Sequence, residues 1–138
     1  MSITLVTGAS GFIGASLARA LVKQGRAVRA SYRTLPTNPP PGVEVVVVGG
    51  GGADTDWSAA LRGASAVVHL AGPAHAKFSV DHLRREIASQ AARLAEQAER
   101  AGVARFVFVS SIKAGAARSV RPLRETDPPA PEDAYGRA

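Results

Sequence analysis

Two kinds of hydrophobic pattern alternate along the chain. Short apolar runs rich in β-branched residues alternate with longer stretches in which apolar residues recur every three or four positions. The first pattern predicts strands and the second predicts helices. The predicted strands are Ile3–Thr7, Ala27–Tyr32, Val43–Val48, Ala66–Leu70 and Arg105–Val109.

Helices are predicted between these strands. The first predicted helix covers Phe12–Lys23 and ends before Gly25. A short helix covers Trp57–Leu61, with Asp56 as its N-terminal cap. A long helix runs from Ser79 to about Ala101. A loop rich in proline and charge occupies 114–133, and a further helix begins near Asp133. Strands alternating with helices predict an α/β fold, a doubly wound parallel sheet in three layers with strand order 3-2-1-4-5. The Val-rich third run predicts a strand buried on both faces.

Length and composition indicate one globular domain and exclude several classes of protein. The chain has 138 residues and no cysteine, so a disulfide scaffold, a thiol nucleophile and a thiolate metal site are excluded. No apolar run is long enough to span a bilayer, and the first residues do not resemble a signal peptide. We therefore expect a cytoplasmic protein that has no membrane segment.

A net charge of +6 is compatible with binding to nucleic acid, but the arginines are scattered along the sequence and aromatic residues that could stack on bases are few. We expect no nucleic-acid partner, and a surface with some preference for phosphorylated ligands. His69, His75 and His82 have no spacing typical of metal ligands, so no metal is expected. His69 is interpreted as a packed, hydrogen-bonded core residue.

The first strand runs into a loop with glycines at positions 8, 11 and 14. Gly8 permits a sharp turn, Gly11 lets a phosphate approach the backbone, and Gly14 lets the helix pack closely. The N–H groups at the helix start then face a pyrophosphate. A plain glycine turn is the alternative, but the strand, loop and helix context favours a Rossmann-like dinucleotide site.

The choice between NAD and NADP depends on the end of the second strand. An NAD site usually carries Asp or Glu there, and this chain has Arg33 instead. Its guanidinium can pair a 2′-phosphate, with Ser31 or Thr34 assisting, which favours NADP slightly over NAD. Alternatively, Arg33 stacks on adenine or lies in solvent.

At this glycine loop the chain resembles the extended short-chain dehydrogenase/reductase superfamily, specifically its NAD(P)-dependent sugar-nucleotide epimerases and dehydratases. Three other stretches carry the resemblance: Val67–Gly72, Phe106–Ser111, and Asp127–Pro131 followed by Tyr135-Gly136. Asp54–Trp57 adds a match to the UDP-glucose and UDP-N-acetylglucosamine 4-epimerases. The resemblance covers essentially the whole chain.

The resemblance implies a role for each matching residue. Ser111 would hydrogen-bond the substrate oxygen, and Tyr135 would move the hydroxyl proton while hydride passes to or from the nicotinamide. Tyr135 is also expected to bind the cofactor. The other implied cofactor contacts are Gly8, Ser10, Gly11, Phe12, Ile13, Gly14, Arg33, Leu70, Ala71, Gly72, Val109 and Ser110.

The chain departs from the family in three places. The family's lysine, four residues after the tyrosine, would be residue 139, so we expect residues 1–138 to be an incomplete NAD(P)-binding domain without its substrate lobe. Ile87 or Ala88 stands where relatives carry an Asn. Gly49–Gly52 replaces the usual Gly-Asp near adenine. Lys113 is interpreted as a solvated surface lysine.

Two hypotheses remain open from the sequence. The parent protein is an epimerase, dehydratase or reductase of nucleotide sugars, or it is a non-catalytic NAD(P)-binding sensor or scaffold of the atypical branch. We expect residues 1–138 alone to bind cofactor weakly or not at all and to show no turnover. The alanine-rich seam of the 79–101 helix permits a homodimer, as in relatives.

Overall fold

A computed structural model describes residues 2–50, 54–73 and 79–138. Its centre is a five-stranded parallel sheet with strand order 3-2-1-4-5, as the sequence predicts. The strands are β1 (Ile3–Val6), β2 (Ala27–Tyr32), β3 (Val43–Val47), β4 (Ala64–His69) and β5 (Arg105–Phe108).

Helices lie between most of these strands and after β5. They are α1 (Phe12–Lys23), α2 (Ser58–Leu61), α3 (Val80–Leu83), α4 (Gln90–Arg100), α5 (Ile112–Gly115) and α6 (Ala134–Arg137). Because the strands are parallel, their carboxyl ends all lie along one edge of the sheet, where the glycine loop and the segments after β4 and β5 begin. In the described part of the chain, no helix has the length and apolar character needed to cross a membrane.

The core lies on the two faces of the sheet. On one face Trp57, Leu61 and Leu94 pack around Leu5 and Val67. On the other face Ala18 of α1 packs with residues of β1 and β2. Trp57 is buried in this cluster, directly before the short helix α2.

The strand β3 is less buried than its sequence predicts. None of its residues is fully buried, and Val47 is 49% exposed. The reason is topological, because the strand order places β3 at one edge of the sheet, beside β2 only. A run of valines therefore indicates a parallel strand but does not reveal that the strand is at an edge.

The predicted 79–101 helix forms, but its interior is not uniform. Ser79 caps it by accepting a hydrogen bond from the His82 N–H at 3.2 Å. Between α3 and α4, residues Arg84–Ser89 form a π-helical turn. Its predicted seam packs inward, with Leu83, Leu94 and Ala98 all buried against the protein's own core.

The predicted 114–133 loop contains more structure than proline and charge indicate. The short helix α5 extends into it, and Ala116 pairs with Ala130 in an isolated parallel bridge. Asp127 accepts two hydrogen bonds at 2.9 Å from the Arg121 guanidinium. At its end, Asp133 caps α6 by accepting from the Gly136 N–H at 2.7 Å, close to where the helix start is predicted.

Candidate functional site

The glycine loop forms a tight turn between β1 and α1. Gly8 has a φ of +69°, and a Cβ there would lie 2.8 Å from the backbone nitrogen of Ala71. A Cβ on Gly14 would overlap the Gly8 carbonyl oxygen. By contrast, a Cβ on Gly11 would meet only that oxygen, at 3.3 Å. Close packing therefore explains Gly8 and Gly14, whereas Gly11 is the glycine whose free side faces out of the turn.

The start of α1 is suited to an anion. Gly11 is its N-cap, no side chain caps it, and its first turn carries no acidic residue. The first N–H groups of a helix have no partner within the helix, and the helix dipole adds partial positive charge there. Phe12 and Ile13 are 90% and 60% exposed, so two apolar side chains flank this positive end. Ser10 is exposed in the same turn.

A cavity of about 280 Å³ opens beside this turn, at the carboxyl ends of β4 and β5. Seven of the residues predicted to bind cofactor or substrate line it together: Leu70, Ala71, Gly72, Val109, Ser110, Ser111 and Tyr135. Leu70 and Ala71 also abut Gly8, where a Cβ would come within 2.9 Å of their backbone atoms. The glycine turn and the cavity therefore share a wall.

The serine and tyrosine segments are tied to each other near the cavity. The Ser111 hydroxyl caps α5 by accepting from the Lys113 N–H at 3.3 Å. The Lys113 Nζ donates to Asp133 at 2.6 Å, and Asp133 caps the helix that carries Tyr135. This ion pair keeps the pKa of Asp133 below its ordinary value, mainly through the hydrogen bond from Lys113. Lys113 is thus a half-exposed surface lysine, and the ion pair with Asp133 is a contact that the sequence did not indicate.

Behind the cavity wall, His69 is fully buried at the end of β4. Its Nδ1 lies 2.7 Å from the Thr7 hydroxyl at the end of β1. Its ring lies 5.9 Å from that of Phe108, which lines the cavity. Burial lowers the pKa of His69 to about 4, so the ring is neutral at physiological pH. This agrees with its interpretation as a packed, hydrogen-bonded histidine.

Three predicted features lie away from the cavity, or wholly or partly outside the described residues. Arg33 follows β2 at the same edge of the sheet, is exposed, and is not among the cavity residues. Of the Gly49–Gly52 turn, only residues 49 and 50 are described, and His75 lies outside the described residues. Among the residues that the structure describes, no three His, Asp or Glu side chains come together as metal ligands would.

Several residues that line the cavity are not among those predicted to bind cofactor or substrate. Phe108, Ala114 and Gly136 line the cavity, and so does Ile87, which the sequence analysis noted only as a departure. A Cβ on Gly136 would overlap the Lys113 carbonyl, so α6 packs closely on α5. The Tyr-Gly pair was the available signal for this contact, but the contact crosses a loop whose path the sequence does not predict.

Comparisons with known proteins agree with the geometry. The family model described as NAD(P)H-binding matches residues 8–135. UDP-glucose 4-epimerase of Vibrio cholerae is 35% identical over 140 residues, which cover 96% of this chain and 42% of that protein.

Solved structures are similar over nearly the whole chain. A short-chain dehydrogenase/reductase superfamily protein from Agrobacterium tumefaciens, with bound NAD, is 35% identical with a TM-score of 0.82, covering 97% of this chain and 40% of its own. MoeE5 in complex with UDP-glucuronic acid and NAD is 30% identical with a TM-score of 0.82, covering 98% of this chain and 45% of its own. The chain therefore spans less than half the length of these relatives.

Proposed function

Because the chain belongs to the NAD(P)H-binding family, with relatives in the short-chain dehydrogenase/reductase superfamily, we propose that it is the cofactor-binding part of a longer enzyme that oxidises or reduces a nucleotide sugar. One observation carries the proposal. Residues from three separate segments, Leu70–Gly72, Val109–Ser111 and Tyr135, line one cavity whose wall is also the wall of the glycine turn.

The residues present fit a dinucleotide. Gly8 and Gly14 leave no room for a side chain, and the uncapped start of α1 offers N–H groups to a diphosphate. Gly11, Phe12 and Ile13 would contact the cofactor at that end, and Leu70, Ala71, Val109 and Ser110 would line its nicotinamide side. When bound, the nicotinamide supplies or takes up a hydride.

Ser111 and Tyr135 are proposed to handle the proton. Both line the cavity, and the Ser111 hydroxyl has a hydrogen to offer while its oxygen accepts from the Lys113 N–H. In the proposal Ser111 hydrogen-bonds the substrate oxygen, and the Tyr135 phenol exchanges a proton with that oxygen. A positioned acid or base of this kind contributes about 10²–10⁴-fold to the rate.

The substrate class rests on the relatives. One relative is a UDP-glucose 4-epimerase, and the similar structure of MoeE5 is a complex with UDP-glucuronic acid; both compounds are nucleotide sugars. We therefore propose a nucleotide sugar as the substrate of the longer protein, with the reaction an epimerisation, dehydration or reduction. The non-catalytic sensor or scaffold remains the second hypothesis, and turnover distinguishes the two.

The test uses the full-length protein that contains this chain. NADH and NADPH are titrated first, and UDP-, GDP- and dTDP-sugars are then assayed for turnover. We expect cofactor binding and turnover of at least one sugar, with Tyr135→Phe lowering kcat by about 10²–10⁴-fold. Cofactor binding without turnover of any sugar would favour the sensor hypothesis, and absence of cofactor binding would refute both.

Arg33 is proposed to select NADP by pairing with the 2′-phosphate. Replacing it by alanine removes charge-assisted hydrogen bonds worth about 1.5–3 kcal/mol, so Arg33→Ala should weaken NADPH by at least about tenfold. The same variant should change NADH affinity by less than about threefold. Arg26→Ala, an exposed arginine outside the proposed site, is the matched control. Equal loss for both cofactors would instead indicate stacking on adenine.

A further inference from the structure

The carboxyl ends of β1 and β4 are joined by one side-chain hydroxyl. The Thr7 Oγ1 lies 3.1 Å from the Leu70 nitrogen and 3.2 Å from the Ala71 nitrogen. Backbone N–H groups can only donate, so the Thr7 oxygen accepts both hydrogen bonds. Leu70 and Ala71 lie against Gly8 of the glycine turn, and both also line the cavity.

A hydroxyl has two lone pairs and one hydrogen, and the two amides occupy both lone pairs. Its hydrogen is therefore free for the remaining neighbour, the His69 Nδ1 at 2.7 Å. A ring nitrogen that accepts a hydrogen bond carries no proton. In a neutral imidazole the proton is then on Nε2.

We propose that His69 is a positioning residue whose neutral ring, protonated on Nε2, orients the Thr7 hydroxyl and thereby holds the Leu70 and Ala71 amides in place. His69 touches neither the cavity nor the expected cofactor, and acts through Thr7. The importance of these amides for cofactor binding rests on the proposed function, whereas their placement does not.

The surroundings of the ring leave Nδ1 as its hydrogen-bonded nitrogen. His69 is fully buried, and its Nε2 has no hydrogen-bond partner among the described residues. Phe106 and Phe108 lie 6.3 and 5.9 Å from it, ring centre to ring centre, so the walls on that side are apolar. A buried polar atom left unpaired costs free energy. The ring is held in this orientation because Nδ1 then has the Thr7 hydroxyl as its hydrogen-bond partner.

The conformation also links a third strand. The Val109 N–H donates to the His69 carbonyl at 3.1 Å, and Val109 lines the cavity. His69 therefore contacts β1 through its side chain and the end of β5 through its backbone. A displacement of this residue would move both sides of the cavity.

The first test is nuclear magnetic resonance on the chain in a His75→Gln, His82→Gln background, where His69 is the single histidine. Two-bond ¹H–¹⁵N correlations at pH 7 report which ring nitrogen carries the proton. When Thr7 and His69 are both present, we expect the ring proton on Nε2. In Thr7→Val we expect the ¹⁵N chemical shift of Nδ1 to change. A proton on Nδ1, or an imidazolium, would overturn the proposal.

The second test measures exchange of the Leu70 and Ala71 amide hydrogens. Thr7→Val and His69→Leu should lower their protection at least about tenfold relative to the Leu5 and Val67 amides in the core. Thr7→Ser keeps the hydroxyl, and His69→Asn keeps an acceptor near Nδ1, so both should stay within about threefold of wild type. The proposal fails if Thr7→Ser loses as much protection as Thr7→Val, or if His69→Leu loses none.

NADH titration of the full-length protein separates the two proposals. Thr7→Val and His69→Leu should weaken NADH by about tenfold, with Thr7→Ser and His69→Asn near wild type. If the wild type binds neither NADH nor NADPH, the proposed function is wrong. The placement of the two amides is then still decided by the tautomer and the exchange data, because neither measurement needs a cofactor.

Discussion

At the scale of single residues, the three glycines of the loop differ in how closely a Cβ would approach the backbone around them. Gly8 and Gly14 face backbone that cannot move aside, whereas Gly11 faces mostly open space. The sequence motif predicts the same three positions and assigns the sharp turn to Gly8, the approach of a phosphate to Gly11 and close helix packing to Gly14. The structure adds the distances that a Cβ would have to its neighbours, and these are shortest at Gly8 and Gly14.

Alanine substitutions should separate these roles. Gly14→Ala should destabilise the chain by about 2–3 kcal/mol, because its Cβ overlaps a carbonyl oxygen and forces the helix to shift. Gly11→Ala should cost less than about 1 kcal/mol but weaken NADH binding in the full-length protein at least tenfold, by blocking the approach of the diphosphate. Urea unfolding followed by Trp57 fluorescence gives the stabilities.

Gly50→Ala is the control, since a Cβ there meets nothing within 4 Å. It should unfold like the wild type. If Gly14→Ala were as stable as Gly50→Ala, the packing of α1 against the Gly8 turn would be wrong. If Gly11→Ala bound NADH normally, the diphosphate would lie elsewhere.

The buried imidazole should also make the chain sensitive to acid. Burial lowers the pKa of His69 from 6.5 to about 4, so between these values the unfolded chain binds a proton that the folded chain does not. Stability is therefore fully present above about pH 6.5 and is lost as the pH falls towards 4, by roughly 3 kcal/mol at most. Urea unfolding at steps between pH 7 and 4 measures the loss, and His69→Asn should abolish most of this slope. An equal slope in that variant would assign the acid sensitivity to other groups.

At the scale of secondary-structure elements, α4 carries a connection that hydrophobic patterning does not show. The Gln97 amide donates to the Thr55 carbonyl at 2.9 Å and accepts from the Trp57 N–H at 2.8 Å. It thereby fixes the segment before α2 to the long helix. Periodicity predicts that Leu94 and Ala98 face the core. It gives no reason to choose Gln97, a polar residue, as the clamp between two elements about forty residues apart.

Substitution of Gln97 should show how much this clamp stabilises the protein. Gln97→Glu keeps the acceptor but loses the donor, and should cost about 1 kcal/mol, whereas Gln97→Met loses both hydrogen bonds and should cost about 2 kcal/mol. Urea unfolding followed by Trp57 fluorescence measures both. Glu96→Gln, which removes only the exposed pair with Arg93 at 3.8 Å, should change stability by less than about 0.5 kcal/mol. Equal effects of all three variants would show that Gln97 is not a specific clamp.

At the scale of the whole molecule, the sheet order and most elements follow from the sequence, because the alternation of strand and helix patterns leaves few parallel topologies. The glycine spacing and the Ser-Ser and Tyr-Gly pairs likewise predict which segments meet. The side-chain links that join those segments, from Thr7 to His69 and from Lys113 to Asp133, were not predicted. They connect positions 62 and 20 residues apart, and depend on local geometry that no periodic pattern encodes.

The net charge of +6 is a property of the whole molecule, and its distribution bears on the choice of partner. In the described part, five basic side chains form ion pairs: Arg29, Arg93, Lys113, Arg118 and Arg121. Each pair neutralises charge that a polyanion would otherwise meet, and each paired acid would repel phosphates. A long phosphate backbone therefore meets interrupted positive charge, whereas a single diphosphate needs only the start of α1.

With its positive charge interrupted in this way, the chain should bind nucleic acid weakly and without sequence preference. Fluorescence anisotropy with a short random DNA duplex should give a dissociation constant no tighter than about 10⁻⁶ M at physiological salt, the range typical of non-specific binding, and weaker still as salt rises. NADH binding by the full-length protein should survive the same salt, because fixed N–H groups and packing hold the dinucleotide as well as charge. Tight DNA binding at physiological salt would contradict the interrupted charge pattern and would favour a polyanion as the partner.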